Sequence, residues 1–550
     1  MVRMSAGKLN EIDKLIEKDI AEKKLPGAVV LVGRKGKIVY RKAFGNRSLV
    51  PTIEKMTVDT IFDVASLTKP VATATSIMIL VERGQLRLND TIGKFIPEIE
   101  DENAKRVTIQ QLLTHVSGYQ PDFDLREKWT GRDGMLQALY KEKLRNPAGT
   151  RFVYSDIGFI VLGEIVKRVS HQDLQVFSGM NIFRFTHPLD SLTFYRNNQE
   201  LFDRNDQGIF ALPGNIPGIP KEIAIYNTPT NSKNATLSSK VTKIPSDLSK
   251  IAPTENIKGQ QNYLGSKFEG DEKTGNRMLR GQVHDPTAFR MGGVAGHAGL
   301  FSTADDLAWY CQMLLNGGTL DGKRILSANT IARMTAPYVI SETGATRGLG
   351  WDMNSSFSAN RGDVFPLGSF GHTGFTGTSI WIDRVTETFV VFLSNRVHPD
   401  GKGDVTPLRS KVATVVASAI EDVPIEKIRE AEDAYSSQVA AQIPRFISQQ
   451  STVNSQQLIR NATVLNGIDV LEKNNFKELD GLKIGLVTNH TGKNLSGRQT
   501  IDVLKEAKNV KLVALFSPEH GIRGQLDQEK IVDSTDDRTG LPIYSLYGET

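Results

Sequence analysis

Cysteine is almost absent from this chain, which has one such residue, Cys311, among 550. A single thiol excludes an intrachain disulfide and any metal cluster built from cysteines. Cys311 stands in an apolar stretch, residues 307–314, whose spacing is typical of a buried helix. We therefore expect Cys311 to pack in the core rather than to react.

Strong charge and long apolar runs are also missing. The formal net charge is only +5, and no basic stripe carries interleaved aromatic residues, so nucleic acid is not an expected partner. No run of about 18 apolar residues occurs, which predicts no transmembrane helix. Residues 1–7 lack the apolar core of a signal peptide. The sequence as given predicts a cytoplasmic location, and a periplasmic or extracellular one if its start has been trimmed.

The length is sufficient for two or three domains. A first domain is predicted over residues 1–425, with a loop or disordered insertion at about 196–250, rich in Asn, Ser, Thr, Pro and Lys. Residues 426–460 are interpreted as a linker, because the stretch 434–453 within them is rich in Ala, Gln and Ser. Residues 461–550 are predicted to form a second domain. A chain ending near Pro424 is accordingly expected to keep the activity of the first domain.

The stretch Ser66-Leu67-Thr68-Lys69 places a serine and a lysine at the start of a predicted helix. The helix is indicated by apolar residues that recur every three or four positions, namely Val71, Ala74, Ile77, Met78 and Val81. Pro70 is tolerated only in a first helical turn and sets the start near Ser66, while Gly84 is expected to end the helix. Residues three apart lie on one face of a helix, so Lys69 is predicted to reach the Ser66 hydroxyl.

This spacing suits nucleophilic catalysis. A serine hydroxyl needs a neighbouring base at neutral pH, and Lys69 can serve if burial and nearby positive charge lower its pKa. The helix N-terminus also offers N–H groups to a developing oxyanion. The alternative is a capping serine with a solvated lysine, because Ser-x-x-Lys is frequent by chance.

Two further motifs favour the catalytic interpretation. Tyr154-Ser155-Asp156 precedes an apolar helix, and His372-Thr373-Gly374-Phe375 precedes a predicted strand. The order Ser-x-x-Lys, Tyr-x-Asn/Asp and Lys/His-Thr-Gly resembles the penicillin-recognising serine hydrolases, and in particular their class C β-lactamase-like branch, over roughly residues 8–420. That branch includes D-alanyl-D-alanine carboxypeptidases and family VIII carboxylesterases. The resemblance implies an α/β (α+β) fold of the β-lactamase/transpeptidase type, in which helices and a helical lobe flank an antiparallel sheet.

The resemblance also implies roles for the motif residues. Ser66 would attack the substrate, Lys69 would receive or relay its proton, and Tyr154 would carry a proton to the leaving group. In the third motif, His372 would take the place of the family's lysine. The N–H groups of Ser66 and Phe375 would form the oxyanion hole.

The remaining motif residues are expected to line the substrate, namely Asp156, Thr373 and Gly374. Two residues depart from the pattern of the β-lactamases. Asp156 stands where those enzymes carry asparagine, and His372 offers a titratable charge in place of a fixed one. Both changes weaken the anchoring of a β-lactam carboxylate. We therefore predict hydrolysis of an ester or of a D-amino-acid amide.

The expected substrate is a small molecule or a peptidoglycan fragment, and no cofactor is expected. Two alternatives remain open, an acylatable sensor without turnover and a scaffold for the second domain. His115 is predicted to be structural, while His284 and His297 could either line a pocket or be structural. No metal-ligand spacing links these histidines, so no metal is expected.

The second domain alternates strand, helix and strand at 482–487, 497–507 and 510–516, which predicts a parallel sheet. Its sequence resembles the N-terminal part of the exo-β-N-acetylmuramidase family. Glu519 would be the acid/base, with His520 and Asn489 as further candidates. The alternative for Glu519 and His520 is a carboxylate at a helix start with a hydrogen-bonding loop histidine. The chain stops short of that family's usual length, so we predict no muramidase activity.

Overall fold

The computed structural model describes residues 2–186, 193–194, 248–258, 260, 262–263, 277–461, 465–517, 522–523 and 533–546. The chain divides into two units, residues 1–451 (unit 1) and 452–550 (unit 2), which are described separately. The predicted insertion at 196–250 lies outside the described residues, apart from a short 3-10 helix, Leu248–Lys250.

The described strands of unit 1 are β1 (Gly27–Arg34), β2 (Lys37–Ser48), β3 (Glu54–Lys55), β4 (Phe62–Asp63), β5 (Thr193–Phe194), β6 (Leu300–Ser302), β7 (Thr319–Leu320), β8 (Lys323–Arg324), β9 (Tyr338–Val339), β10 (Thr346–Arg347), β11 (Asp352–Asn354), β12 (Phe370–Thr373), β13 (Ser379–Asp383) and β14 (Thr388–Ser394). Nine of these form the main sheet, in the order β3-β2-β1-β14-β13-β12-β11-β10-β9. Every neighbouring pair in it is antiparallel. A smaller sheet has the order β4-β6-β5, and β7 pairs with β8.

The helices of unit 1 are α1 (Ala6–Leu9), α2 (Glu11–Ala21), α3 (Thr75–Glu82), α4 (Ile92–Phe95), α5 (Glu102–Lys105), α6 (Ile109–Leu113), α7 (Gly131–Lys141), α8 (Asp156–Ser170), α9 (Leu174–Ser178), α10 (Arg184–Thr186), α11 (Pro286–Arg290), α12 (Ala304–Leu315), α13 (Ala328–Met334) and α14 (Thr406–Ser418). A further helix, α15 (Ile425–Asn461), runs from unit 1 into unit 2.

The alternation of side chains along β1 builds two cores. Val29 and Leu31 belong to the large core shared with α3, α8 and α12. Val30 and Val32 belong to a second core shared with α2 and α14. Because successive residues of a strand point to opposite faces, the apolar run along this strand requires helices on both sides of the sheet. The predicted antiparallel sheet flanked by helices, with a helical lobe, is confirmed.

The helix predicted from Ser66 to Gly84 is divided into three parts. Ala65–Leu67 is a 3-10 helix, Lys69–Ala74 is a π-helix, and only Thr75–Glu82 is α-helical. The wider turn has a local cause, because the Thr75 hydroxyl donates to the Pro70 carbonyl at 2.9 Å. Wide π turns of this kind often occur at functional sites.

Residues 426–460, predicted as a linker, lie within helix α15, and the boundary between the units falls at 451–452 rather than at 425. Tyr435 and Val439 of this helix are buried in the large core. The Gln442 side-chain amide donates to the Pro337 carbonyl at 2.8 Å. The first half of α15 is therefore a packed element of unit 1, which the polar composition of the segment concealed.

Unit 2 contains strands β15 (Lys483–Val487), β16 (Lys511–Ser517), β17 (Ser534–Thr535) and β18 (Pro542–Ser545), helices α16 (Gly467–Lys473) and α17 (Thr500–Glu506), and a 3-10 helix, Lys477–Leu479. The predicted strand–helix–strand alternation is confirmed, since β15 and β16 pair in parallel. Strand β18 extends the parallel sheet and pairs with β17 in the antiparallel sense. No helix in the described part of either unit has the length and apolar content needed to cross a membrane.

Candidate active site

The segment before Ser66 is held by side chains that follow the third motif. Thr376 Oγ1 donates to the Asp63 carbonyl at 2.7 Å, and Thr378 Oγ1 donates to the Val64 carbonyl at 3.0 Å. These bonds join the loop between β12 and β13 to the turn that carries the nucleophile. The first and third motifs are therefore neighbours, as the resemblance implies.

Lys69 is fully buried, and its ammonium group contacts three oxygen atoms. Its Nζ lies 3.0 Å from Ser66 Oγ, 3.1 Å from the His297 carbonyl oxygen and 2.5 Å from Asp156 Oδ1. The loop that supplies the His297 carbonyl approaches α8 closely at Gly296, where a Cβ would lie 1.9 Å from a carbonyl oxygen. The first and second motifs thus meet through the pair of Lys69 and Asp156.

The charge on Lys69 differs from the sequence-based expectation. Burial by itself lowers the pKa of Lys69, but the Asp156 carboxylate and the Tyr154 side chain outweigh it, and the net pKa is raised. Lys69 is therefore an ammonium ion at neutral pH and not a free base. An ammonium ion has no lone pair, so it can take up the Ser66 proton only if it gives up one of its own.

Tyr154 lies between two other rings. His115 stacks on one side at a centroid distance of 4.4 Å, and Phe357 stacks on the other at 5.1 Å. Lys69 Nζ is 4.9 Å from the centre of the Tyr154 ring. His115 also accepts a hydrogen bond at Nδ1 from the Ser155 N–H at 3.0 Å, which holds the second motif in place. This is the structural role predicted for His115.

His372 does not carry a charge at the third motif. Its Nδ1–H donates to the Thr373 carbonyl at 2.8 Å, and its Nε2 has no hydrogen-bond partner among the described residues. Burial, together with the cations Arg347 and Lys69, lowers the pKa of His372 well below its usual value. The ring is therefore neutral at physiological pH, and the titratable charge expected of it from the sequence is suppressed.

Arg347 is a component of the site that sequence reasoning missed. This residue of β10 is fully buried, and its guanidinium carbon lies 6.0 Å from the centre of the Tyr154 ring. Its Nη1 is 3.1 Å from Asp352 Oδ1. The available signal was an arginine at the start of a glycine-rich run, Arg347-Gly348-Leu349-Gly350, but nothing in the spacing connects it with the three motifs.

Two carboxylates and a histidine lie close together beside Lys69. Asp156, Asp285 and His297 place one ligand atom each within 4.8 Å of one another, which is the spacing of a metal site. His297 Nε2 is 2.8 Å from Asp285 Oδ1, and this carboxylate raises the pKa of His297 against the effect of burial. Lys69 pairs with Asp156 and His297 pairs with Asp285, so each of the two carboxylates already has a protein partner.

A cavity of about 290 Å³ adjoins the third motif. Its lining consists of that motif and the start of α14, namely Thr373, Gly374, Phe375, Arg396, Asp404, Thr406 and Arg409. Arg409 Nη1 donates to the Thr378 carbonyl at 2.8 Å, while its Nε has no partner among the described residues. Burial and the neighbouring Arg396 lower the pKa of Arg409 to about 10, so it remains a cation at neutral pH.

Gly374 and Phe375 lie at the junction of this cavity and the nucleophile. A Cβ on Gly374 would lie 2.4 Å from the Val64 carbonyl oxygen, so the close approach requires glycine. The Phe375 ring is 61% exposed, stacks on His284 at 5.6 Å and lies under the Arg396 guanidinium at 4.5 Å. The Phe375 N–H stays a predicted oxyanion donor.

The candidates in unit 2 are less well defined. Glu519 and His520 lie outside the described residues. Asn489 Oδ1 accepts hydrogen bonds from the N–H and hydroxyl of Thr491 at 3.0 and 2.7 Å, which is the geometry of an Asx turn. The structure thus assigns Asn489 a part in a turn that follows strand β15.

The fold and the site together define a class of protein, in which a serine beside a buried lysine lies between a helical lobe and an antiparallel sheet. Residues 12–413 match the model of the beta-lactamase family, and the chain belongs to that family. Residues 484–550 match the N-terminal domain of the exo-beta-N-acetylmuramidase NamZ. Both family resemblances predicted from the motifs are confirmed.

Curated relatives extend over most of unit 1. The chain is 30% identical over 418 residues to the "N-acetylmuramyl-L-alanine amidase" of Bacillus subtilis (strain 168), covering 72% of this chain and 82% of the relative. It is also 30% identical over 413 residues to the "Putative D-alanyl-D-alanine carboxypeptidase" of Escherichia coli (strain K12), covering 71% and 83%. A class C beta-lactamase structure covers 76% of this chain and 97% of its own, with a TM-score of 0.51 and 18% identity, and it supports the fold.

Proposed function

We propose that this chain is a serine hydrolase that forms an acyl-enzyme on Ser66 and releases a C-terminal D-amino acid from peptides of peptidoglycan origin. The observation that carries the proposal is the contact of 3.0 Å between Ser66 Oγ and the buried Lys69 Nζ, with Tyr154 beside the same ammonium. Relatives at 30% identity are named for amide-bond cleavage, one at N-acetylmuramyl-L-alanine and one at D-alanyl-D-alanine.

The proton path follows from the charge of Lys69. Ser66 Oγ forms a bond to the substrate carbonyl carbon, and its proton passes to Lys69 as Lys69 gives another proton to the Tyr154 oxygen. Tyr154 at the same time gives its own proton to the leaving nitrogen, and the C–N bond breaks. Each group ends in its starting protonation state, and water reverses the path to release the acid.

The two arginines beside the third motif favour a substrate with a free carboxylate. Arg396 and Arg409 line the same cavity as Asp404, whose charge raises the pKa of both arginines against burial, so two cations there face one carboxylate. A planar guanidinium suits bidentate binding of a carboxylate. The cavity opens next to Thr373 and Phe375, where a C-terminal residue would lie when its peptide bond meets Ser66.

Acylation of Ser66 is the first test. We expect a fluorophosphonate probe to add to the 550-residue chain once, as measured by intact-mass spectrometry, and to add nothing to Ser66→Ala. An adduct that survives the substitution would contradict the proposal. An adduct formed by a penicillin-type probe and never released would favour the alternative of a sensor without turnover.

Carboxylate recognition is tested with matched substrates. We expect a D-alanyl-D-alanine peptide to be cleaved at least tenfold faster than the same peptide with an amidated C-terminus. Arg409→Met should abolish this preference, since a charge-assisted hydrogen bond contributes about 10- to 100-fold. The control is Arg324→Met, which removes a surface arginine whose side chain is 69% exposed. Equal cleavage of the two peptides by the unaltered chain would contradict the assignment of the cavity.

Hydrolysis of a carboxylic ester is the second candidate function. It is favoured by the neutral His372 and by two exposed aromatic rings at the site, Phe357 and Phe375. Ser66-dependent turnover of p-nitrophenyl esters with no cleavage of either peptide would select this candidate. Rapid turnover of a chromogenic cephalosporin would instead contradict the prediction, made from Asp156 and His372, that β-lactams are poor substrates.

A further inference from the structure

Arg347 carries a buried charge that its ion pair only partly uses. Only Nη1 approaches Asp352, at 3.1 Å, while Nε and Nη2 have no hydrogen-bond partner among the described residues. Asp352 is in turn shared with two hydroxyl donors, from Ser355 at 2.6 Å and Ser358 at 2.8 Å. Buried donors are normally satisfied, so a fully buried guanidinium with two N–H groups that have no protein partner among the described residues is unusual and can act on a neighbouring group.

The surroundings of Arg347 connect it with Tyr154 rather than with the substrate. Arg347 lines a cavity of about 10 Å³ together with Tyr154, His372 and Thr373. A cavity of that size holds about one water molecule. The guanidinium carbon lies 5.6 Å from the Phe152 ring and 6.0 Å from the Tyr154 ring, which places the cation against the second motif.

We propose that Arg347 is the fixed cation that His372 fails to provide, and that it stabilises the negative charge that develops on the Tyr154 oxygen during proton transfer. Arg347 is thus a positioning residue that acts through Tyr154 and keeps His372 neutral. The inference rests on the proton-shuttle role proposed above for Tyr154. On this inference, the positive charge that lysine supplies in the family's third motif comes here from strand β10, which lies outside all three motifs.

The charges around Tyr154 support this assignment. Six ionisable residues face it from separate elements, namely Lys69, His115, Asp156, Arg347, Asp352 and His372. Burial and nearby cations lower the pKa of both histidines well below the usual value, so neither supplies a charge. Asp156 neutralises Lys69 at 2.5 Å, which leaves Arg347 as the cation with unused donors.

The dependence on the leaving group distinguishes this role from a structural one. A proton donor matters for an amine leaving group and hardly at all for p-nitrophenolate, which departs without a proton. We expect Arg347→Met to lower kcat/KM for the D-alanyl-D-alanine peptide about 100-fold. The same variant should lower it less than tenfold for a p-nitrophenyl ester. Arg347→Lys, which keeps the charge, should recover most of the loss.

Each kcat/KM is divided by the fraction of the protein that a fluorophosphonate labels. Partial unfolding of a variant is therefore not mistaken for a loss of catalysis. If Arg347→Met does not fold, the double variant Arg347→Met with Asp352→Asn removes both charges of the pair and takes its place. Equal losses for peptide and ester would overturn the inference, as would a failure of Arg347→Lys to recover the peptide activity. A second readout is NMR titration of His372, which should take up its proton at higher pH in Arg347→Met.

Tyr154→Phe separates this inference from the function on which it rests. If Tyr154→Phe shows no preferential loss for the peptide, the shuttle role itself is wrong. If Tyr154→Phe shows that loss and Arg347→Met does not, only the inference about Arg347 is wrong. Combined with Tyr154→Phe, Arg347→Met should cause no further preferential loss, because the group through which it acts is gone.

Discussion

At the scale of single residues, Asp156 decides the charge of the group beside the nucleophile. Its carboxylate lies 2.5 Å from Lys69 Nζ, and the resulting attraction outweighs the burial that would otherwise favour a neutral amine. An asparagine of the same shape would leave burial as the main influence on Lys69. In the mechanism proposed above, Asp156 therefore makes Lys69 an ammonium relay instead of a neutral base.

We expect Asp156→Asn to lower the pKa of Lys69. A larger fraction of the lysine is then neutral at a given pH and can take the Ser66 proton directly instead of relaying it, so the acid limb of the Ser66 acylation profile should move to lower pH. The measurement is the rate of fluorophosphonate labelling between pH 6 and 11, a range that extends past the usual lysine pKa of about 10.4. Asp133→Asn, at a side chain that is 98% exposed, is the matched control. An acid limb that stays in place or moves to higher pH would contradict the role given to Asp156.

At the scale of elements, helix α15 links the core of unit 1 to the strand that carries Arg347. The Tyr435 hydroxyl of this helix forms a hydrogen bond with the hydroxyl of Thr346, the residue next to Arg347 on β10. Tyr435 and Val439 are also buried in the large core. Full burial of a large apolar side chain stabilises a fold by about 1.5–3 kcal/mol, so removing this helix is costly.

A chain shortened to residue 424 is therefore expected to melt at lower temperature and to lose most of its Ser66-dependent turnover, contrary to the sequence-based prediction. A chain ending at residue 451 keeps Tyr435 and Val439 and should match the activity of the full chain. Tyr435→Phe removes only the hydroxyl, so its melting temperature and turnover should be close to those of the unaltered protein. Equal melting temperatures and turnover for the chains ending at 424 and 451 would show that α15 is a linker after all.

At the scale of the whole molecule, the two units differ in how completely they bury their apolar strands. Strand β1 of unit 1 is buried at every position, whereas alternate residues of β15 in unit 2 are exposed. Leu482, Val487 and Leu546 of unit 2 are at least 50% exposed. Parallel sheets are usually covered on both faces, and the described part of unit 2 leaves one face of β15 open.

We accordingly expect the 550-residue chain to release no N-acetylmuramic acid from a chromogenic muramide, since a sugar cleft requires enclosing walls beside the sheet. We also expect the chain ending at 451 to aggregate less, because it lacks the exposed strands. Ser66→Ala serves as the control that excludes release by unit 1. Release that is lost on Glu519→Gln would refute the prediction and establish Glu519 as a working acid/base.

Local features of this protein follow from the sequence by itself. The three-residue spacing of Ser66 and Lys69 places them together in any helical turn, and the apolar run of β1 predicts a buried strand. The parallel pairing of β15 and β16 follows in the same way from the alternation of strand and helix. These features depend on residues that are close in the chain, and for this reason periodicity and spacing reveal them.

Tertiary structure alone decided the charges of the site. The Lys69 ammonium meets a carbonyl 228 positions away, at His297, and the buried cation Arg347 arrives from a strand outside every motif. The neutrality of His372 and the raised pKa of Lys69 result from desolvation and from charges on separate elements. No spacing in the sequence encodes these effects, because an electrostatic field depends on distance in space, and folding brings together groups that the chain keeps far apart.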